Sequence, residues 1–373
     1  MPSALLSLCA RAEGHDLQRS QLVKECFSFK EWDKLLYQAE VHGMGPLLYR
    51  HLSSIESNAP QAFLRDLRFL CLRHEQANRS LIASLRNIIA LFEDNGVPCI
   101  ILKGAALCQT LYADTGHRPM RDIDLLFAKQ DVHHANALLL KNGFHSSNEQ
   151  LPEGYFHLPP LLQKTDGIQV CIELHHGLFP YDPPYYNSLH FEDLYKNSLT
   201  FDMQGLEVRT LAHEEMLWHL YQHGLHAPLT YEPYKLISVA DIVSLVEKKN
   251  ESLDWEKIQK NYPQLLKILP LLHYLTPWNE SLQQKLLPET SRAVAKVGEP
   301  YKGWPRTKLA RKGDKTLLLL LRSTFIPSHW WIMVYYGIDG FFSLMWCRFV
   351  RHPMHLLRWV KVYSVNKVKR MLC

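Results

Sequence analysis

No two of the eight cysteines stand as Cys-x-x-Cys, and several lie inside apolar runs. That absence argues against redox pairs and against a disulfide framework. The thiols are expected to be reduced and mostly buried, as in a cytoplasmic protein. The first residues, Met-Pro-Ser-Ala-Leu-Leu-Ser-Leu-Cys-Ala-Arg, carry no basic leader. Their apolar stretch is too short for a secretory signal of the usual design, so secretion is not expected. Acidic residues are scarce at the other end. From Tyr301 onward there are fourteen basic residues and two acidic ones, a surplus of +12. The whole chain carries only +5, so residues 1–300 carry −7. An acidic body with a basic appendage is implied. No RNA- or DNA-binding motif accompanies that charge, and nucleic acid is not expected as a partner. The run from Trp330 to Trp346 is nearly all apolar, yet it is short for a membrane span and contains Asp339. Three readings of residues 301–373 stay open. One is a pair of packed helices bent at Gly337 and Gly340, another a peripheral membrane segment with basic flanks and tryptophans, and the third a true span.

What is present points to an α+β protein. The chain is long enough for two or three domains. Residues 1–95 read as helical. Ser28-x-x-Glu31 forms a plausible capping box before Trp32, and Leu35, Leu36 and Ala39 follow at helical spacing. The period near 3.6 over Ala62–Asn95 stops at Asn95-Gly96. Residues 96–205 alternate strands and helices, and 206–300 return to helix behind a cap at Thr210. Pro263, Pro270, Pro277 and Pro288 break the later part into short pieces.

The chemistry concentrates between Val97 and Phe127. Cys99–Leu102 is an apolar run that meets a turn at Lys103-Gly104, and Ala105–Tyr112 has helical composition. Asp122-Ile123-Asp124-Leu125-Leu126-Phe127 then alternates as a second strand. Residues two apart on a strand share a face, so Asp122 and Asp124 aim two carboxylates at one spot while Ile123 and Leu125 enter the core. Two such charges repel unless a cation lies between them, and oxygen ligands of this kind favour Mg²⁺ or Mn²⁺. Further on, Gln130–Asn142 reads as a helix, and Ile168–His175 alternates as a strand. Cys171, Glu173 and His175 lie on one side of that strand.

The ordered string Leu102-Lys103-Gly104, Tyr112, Arg118 and Asp122-Ile123-Asp124-Leu125-Leu126 resembles the nucleotidyltransferase superfamily, and within it the bacterial branch known as uncharacterised nucleotidyltransferases. The resemblance covers roughly residues 30–260. Leu236 with Asp241-Ile242, and Asp254-Trp255, resemble that branch's second helical region. The resemblance implies a small mixed nucleotidyltransferase-type sheet with flanking helices, set between helical regions. It also implies a third carboxylate on the strand beside Asp-x-Asp, and Ile172-Glu173-Leu174-His175 is similar to the element that supplies it.

The expected activity is metal-dependent transfer of a nucleoside monophosphate from a triphosphate such as ATP to an unidentified hydroxyl acceptor. Asp122, Asp124 and Glu173 are the candidate catalytic and metal-binding residues, with Mg²⁺ or Mn²⁺ as cofactor. Lys103, Gly104, Arg118 and Arg121 are the candidate nucleotide-binding residues, because a helix start and planar cations suit phosphate. Arg118 can equally buttress the Asp-x-Asp loop. The alternative is an inactive nucleotide- or metal-binding module that docks a partner, accessory to surface-polymer or peptide-product biosynthesis. His219, His223 and His226 recur at helical spacing. No neighbouring carboxylate or cysteine completes a zinc set, so a place for His219 or His223 along the nucleotide cleft is the preferred reading.

Overall fold

Short apolar runs flanked by glycine and polar residues supply the strands, and amphipathic periodicity supplies the helices around them. The computed structural model describes residues 3–151, 155–165, 167–179, 189–226, 235–287 and 325–358. The chain divides into two units, one formed by Leu5–His223 with Lys235–Asp254, the other by the described parts of Met1–Ala4, Gly224–Tyr234 and Trp255–Cys373.

The first unit holds one seven-stranded mixed sheet. Its strands are β1 Ile100–Ile101, β2 Ile123–Leu126, β3 His145–Ser146, β4 Leu161–Thr165, β5 Ile168–His175, β6 Leu199–Met203 and β7 Leu206–Thr210, in the order β3-β4-β5-β2-β1-β7-β6. β2 runs parallel to β5 and β1 parallel to β7, while the remaining pairs are antiparallel. All four residues of β2 are buried, as expected of a central strand with cover on both faces. The α+β class expected from the sequence is the class observed.

The helices of this unit are α1 Ala4–Leu8, α2 Asp16–Ser28, α3 Trp32–Val41, α4 Gly45–Ser53, α5 Gln61–Asp94, α6 Lys103–Thr110, α7 Val132–Lys141, α8 Phe191–Lys196, α9 His213–Gly224 and α10 Leu236–Lys249. α5 buries Leu81, Leu85, Ile88 and Phe92 along one stripe, each worth about 1.5–3 kcal/mol of apolar burial. Phe92 meets Phe127, just past β2, edge to face with centroids 5.2 Å apart. α5 stops where Asn95 caps it and Gly96 takes a φ of +66°, which a side chain would strain.

Two local expectations are corrected. Ser28 does not open the helix at Trp32. It ends α2, its hydroxyl donates to Glu25 O at 3.1 Å, and Glu31 occupies the N-cap of α3 without a side-chain capping bond, its carboxylate pairing with Lys34 instead. The helix of 206–300 does not begin at 206, because Leu206–Thr210 is β7. There Thr210 Oγ1 donates to Ile101 O at 2.8 Å. Leu206, Val208 and Thr210 alternate with polar residues, so the period there is two rather than 3.6.

In the second unit, α11 Trp255–Asn261, α12 Pro263–Leu272, α13 Glu280–Leu286, α14 His329–Tyr336 and α15 Phe341–Trp346 are short; Pro263 opens α12 as expected, but Pro270 lies inside α12 and does not break it. Pro288 lies outside the described residues. α14 ends on Gly337 at φ +58°, and α15 starts on Gly340 at φ +77°. The apolar run from Trp330 is therefore two helices with a bend. Trp330 Nε1 donates to Leu271 O at 3.1 Å, and Trp331 stacks on Tyr335 at 4.5 Å. Among the described residues no helix is long and apolar enough to cross a membrane.

Candidate active site

β1 carries the chain to a single strained residue. Leu102 is still extended, its N–H donating to Asp124 O at 3.0 Å, and Lys103 then takes a φ of +41° as the first residue of α6. A non-glycine residue there is uncommon and concentrates at functional sites. The helix thus begins two residues earlier than Ala105, and Lys103 and Gly104 form its first turn. The bend turns the Lys103 side chain back over the sheet, where Nζ donates to Asp124 Oδ1 at 3.0 Å.

Gly104 is required for a different reason. A Cβ there would lie 2.2 Å from Arg118 Nη1 and 3.0 Å from Cζ. The Arg118 guanidinium lies against this turn. Its Nε and Nη2 form a fork on Asp241 at 3.2 and 2.7 Å, and Nη1 donates to Pro119 O at 3.2 Å. Tyr112 donates to the same carboxylate at 2.7 Å. Tyr112, Arg118 and Asp241 therefore lock α6 and the loop before β2 onto α10. Asn78, buried mid-way along α5, adds a second anchor. Its amide donates to Thr115 O and Arg118 O at 2.5 and 2.8 Å, and its carbonyl accepts from Met120 N at 3.2 Å. Arg121 is exposed.

The parallel register of β2 and β5 sets Asp124 opposite Glu173 and Leu126 opposite His175. His175 Nε2 lies 2.9 Å from Asp124 Oδ1 and 3.4 Å from Glu173 Oε2. The ligand atoms of Asp124, Glu173 and His175 fall within 4.8 Å of one another. A fourth side chain comes from the loop before β4. His157 forms a bridge with His175, and its Nε2 lies 3.9 Å from Glu173 Oε2. Its Nδ1 bonds Leu158 O at 2.7 Å, and since a carbonyl only accepts, the proton lies on Nδ1.

The charges are unequal. Burial alone would raise the Asp124 carboxyl, but the Lys103 ammonium and the His175 bond outweigh it and hold Asp124 well below the usual range. Burial disfavours charge on Lys103 and on His175 as well. The neighbouring carboxylates reverse this, and both end above their ordinary values. Asp122 stands one residue before β2, at the open side. Desolvation and then the Asp124 charge push it up to about 6. Asp124 and Glu173 are thus brought together, whereas Asp122 lies outside the tight cluster though within reach of its field. On α9, burial and Lys103 hold the fully enclosed His219 well below 6.5, and Lys103 and then burial lower His223 to about 3. The two rings stack at 14°.

His175 and His157 are the members that sequence reasoning did not assign. His175 was legible as the i+2 neighbour of Glu173 on one strand face. No local pattern marks His157, which reaches the site through a bridge outside the named strands.

The sequence profile of the family described as uncharacterised nucleotidyltransferase matches residues 28–276, two thirds of the chain. The chain belongs to that family. No curated protein matches it. Among solved structures it is similar to an antigenic nucleotidyltransferase-like protein from Paracoccidioides brasiliensis, with 17% identity over 50% of this chain and 90% of that one and a TM-score of 0.34. It is also similar to ANT(2″)-Ia in complex with adenylyl-2″-tobramycin, with 17% identity, 48% and 92% coverage and a TM-score of 0.32.

Proposed function

We propose that this nucleotidyltransferase family member moves a nucleoside monophosphate from a nucleoside triphosphate to a hydroxyl acceptor with the help of Mg²⁺ or Mn²⁺. The observation that carries the reading is the convergence of Asp124 and Glu173, opposite each other on parallel strands, beside the strained Lys103-Gly104 turn. Two carboxylates, Asp124 and Glu173, belong with His175 to a group whose ligand atoms lie within 4.8 Å of one another, a donor set that fits a divalent ion, and Asp122 stands at its open side. Asp122, Asp124 and Glu173 would hold it. When bound, the ion neutralises charge on the triphosphate.

The remaining roles belong to side chains. The N–H groups at the start of α6 face the phosphates, a favourable place for an anion. Lys103 and the exposed Arg121 contribute charge to the same groups. Arg118, its fork held by Asp241, fixes that turn through Gly104. Glu173 has the more exposed of the two facing carboxylates, 22% against 5% for Asp124. It takes the proton from the acceptor hydroxyl as that oxygen attacks the α-phosphorus. The bond from the α-phosphorus to the bridging oxygen breaks, and pyrophosphate leaves with the electron pair.

The test is a screen of labelled triphosphates with divalent ions against candidate acceptors, with Asp124→Asn as the blank. Label transferred by the wild type and lost in the variant supports the reading. Nucleotide bound without transfer under every condition would make the chain a nucleotide-binding module instead.

A second reading concerns the end of the second unit. Phe342, Trp346, Phe349 and Leu357 are 62–88% exposed, beside Arg348, Arg351 and Arg358. Exposed apolar side chains interspersed in sequence with arginines suit the interface of an anionic membrane. We therefore propose peripheral membrane contact through this segment, tested by pelleting with anionic and with neutral vesicles. Equal pelleting with both would refute it.

A further inference from the structure

We propose that His223 is a phosphate-binding residue, its ring N–H donating to the triphosphate arm that the Lys103-Gly104 turn also holds. This deepens the reading above and rests on it.

Three observations carry the inference. The first is where the ring stands. From Glu214 to Gly224 every residue of α9 is buried except His223, which is exposed. The charges of the site nevertheless reach it. Lys103 bears on it most, ahead of burial, and His175 and Arg118 act in the same direction while Asp124 opposes them. An exposed ring in that field faces the open side of the site, near the turn at the start of α6. The second observation is the sign of the field. Its positive balance keeps the imidazole neutral, with one N–H to donate and one lone pair. A free N–H in positive surroundings suits an anion.

The third observation is what backs the ring. His219, one turn earlier, stacks with His223 at 6.2 Å and 14°, and lies 5.4 Å from Phe179. Among the described residues neither nitrogen of the buried His219 has a hydrogen-bond partner, and no hydrogen bond engages the His223 ring. Buried polar atoms left unpartnered are few in native proteins, and each calls for a reason. Two apolar rings would stack here at less cost, so the imidazoles serve polar atoms that a ligand or its water brings.

A flat exposed ring also offers a face to a nucleobase. The field separates the two uses, since it favours an anion and is indifferent to a neutral base. During transfer no proton leaves His223. The bond from the α-phosphorus to the bridging oxygen breaks, pyrophosphate keeps the electron pair, and the hydrogen bond from the imidazole strengthens as charge collects there.

The test measures binding of inorganic tripolyphosphate with Mg²⁺, and of the four unphosphorylated ribonucleosides, to the full chain by calorimetry. His223→Phe keeps a flat ring and loses the donor, whereas His223→Gln keeps a donor and loses the ring. Because the side chain is exposed, both variants should melt close to the wild type. Expected are tripolyphosphate binding about tenfold or more weaker in His223→Phe and within about threefold of wild type in His223→Gln. Nucleoside binding should be the same in all three. Tripolyphosphate bound equally well by His223→Phe overturns the inference. Tripolyphosphate binding unchanged in both variants, with nucleoside binding lost only in His223→Gln, also overturns it and makes the ring a stacking platform. Tripolyphosphate binding that needs His223, in a chain that transfers no label, supports the inference while the transfer reading fails. A wild type that binds neither tripolyphosphate nor any nucleoside triphosphate overturns both.

Discussion

Lys103 and His175 share one oxygen, donating to Asp124 Oδ1 at 3.0 and 2.9 Å, Lys103 from the start of α6 after β1 and His175 from the end of β5. The ammonium of Lys103 and the imidazole of His175 thus meet one buried carboxylate from the two sides of β2. Removing one partner of a buried pair costs about 3–5 kcal/mol, because the other charge stays enclosed. Lys103→Met is therefore expected to lower unfolding stability by about that amount in denaturant titration. In the background of Asp124→Asn the same substitution should cost much less. Equal costs in both backgrounds would show that the ammonium does not interact with Asp124.

The titration of the cluster has two limbs of opposite sign. His175 binds its proton more tightly folded than unfolded, where its value is near 6.5. Its contribution to stability is complete below that value and is lost as pH rises through the folded one. The enclosed His219 is held well below 6.5, so it costs stability as pH falls beneath 6.5. Thermal melts in a chelator should show stability falling on both sides. His175→Gln should flatten the alkaline side, and His219→Leu the acidic one. An alkaline slope unchanged in His175→Gln would exclude its role as the charged partner.

Much of this arrangement was legible in the residues because it is local. Ile168–His175 alternates strictly, and the strand has those limits. Asn95-Gly96 stops α5 as its chemistry requires. The near approach of Glu173 to Asp124 depends on the register of two strands nearly fifty residues apart, and only the family resemblance pointed to it. Other features are tertiary. Ser28 carried a capping signature, yet the chain was already helical before it. β7 pairs with β1 across more than a hundred residues, and that pairing overrides the helical reading from 206. His157 has no sequence pattern at all, since its place depends on a loop that folds back onto β5.

Gly104 tests the clamp on the α6 turn. A methyl group there would lie 2.2 Å from Arg118 Nη1, and the guanidinium would have to leave its fork on Asp241. Gly104→Ala should destabilise the protein by about 1–3 kcal/mol, the usual cost of overpacking. Arg118→Lys should also be costly, because an ammonium cannot replace the two-point contact. A Gly104→Ala protein with unchanged stability and unchanged nucleotide affinity would mean that the fork opens freely.

Asn78 makes the last prediction, since it lies on a helix that donates no ligand to the site. Its side chain satisfies the carbonyls of Thr115 and Arg118 and the N–H of Met120, all in the loop that delivers Asp122 and Asp124. Leucine fills similar space but leaves these groups unpartnered, and each buried unsatisfied group costs about 1–3 kcal/mol. In Asn78→Leu the loop at 115–120 should loosen before the sheet does. Hydrogen exchange at the Met120 amide should then quicken while the amides of β5 stay protected. Nucleotide transfer should fall with it, because the carboxylates lose their fixed approach. Unchanged exchange at Met120 would show that the loop is held by Arg118 and Asp241 alone.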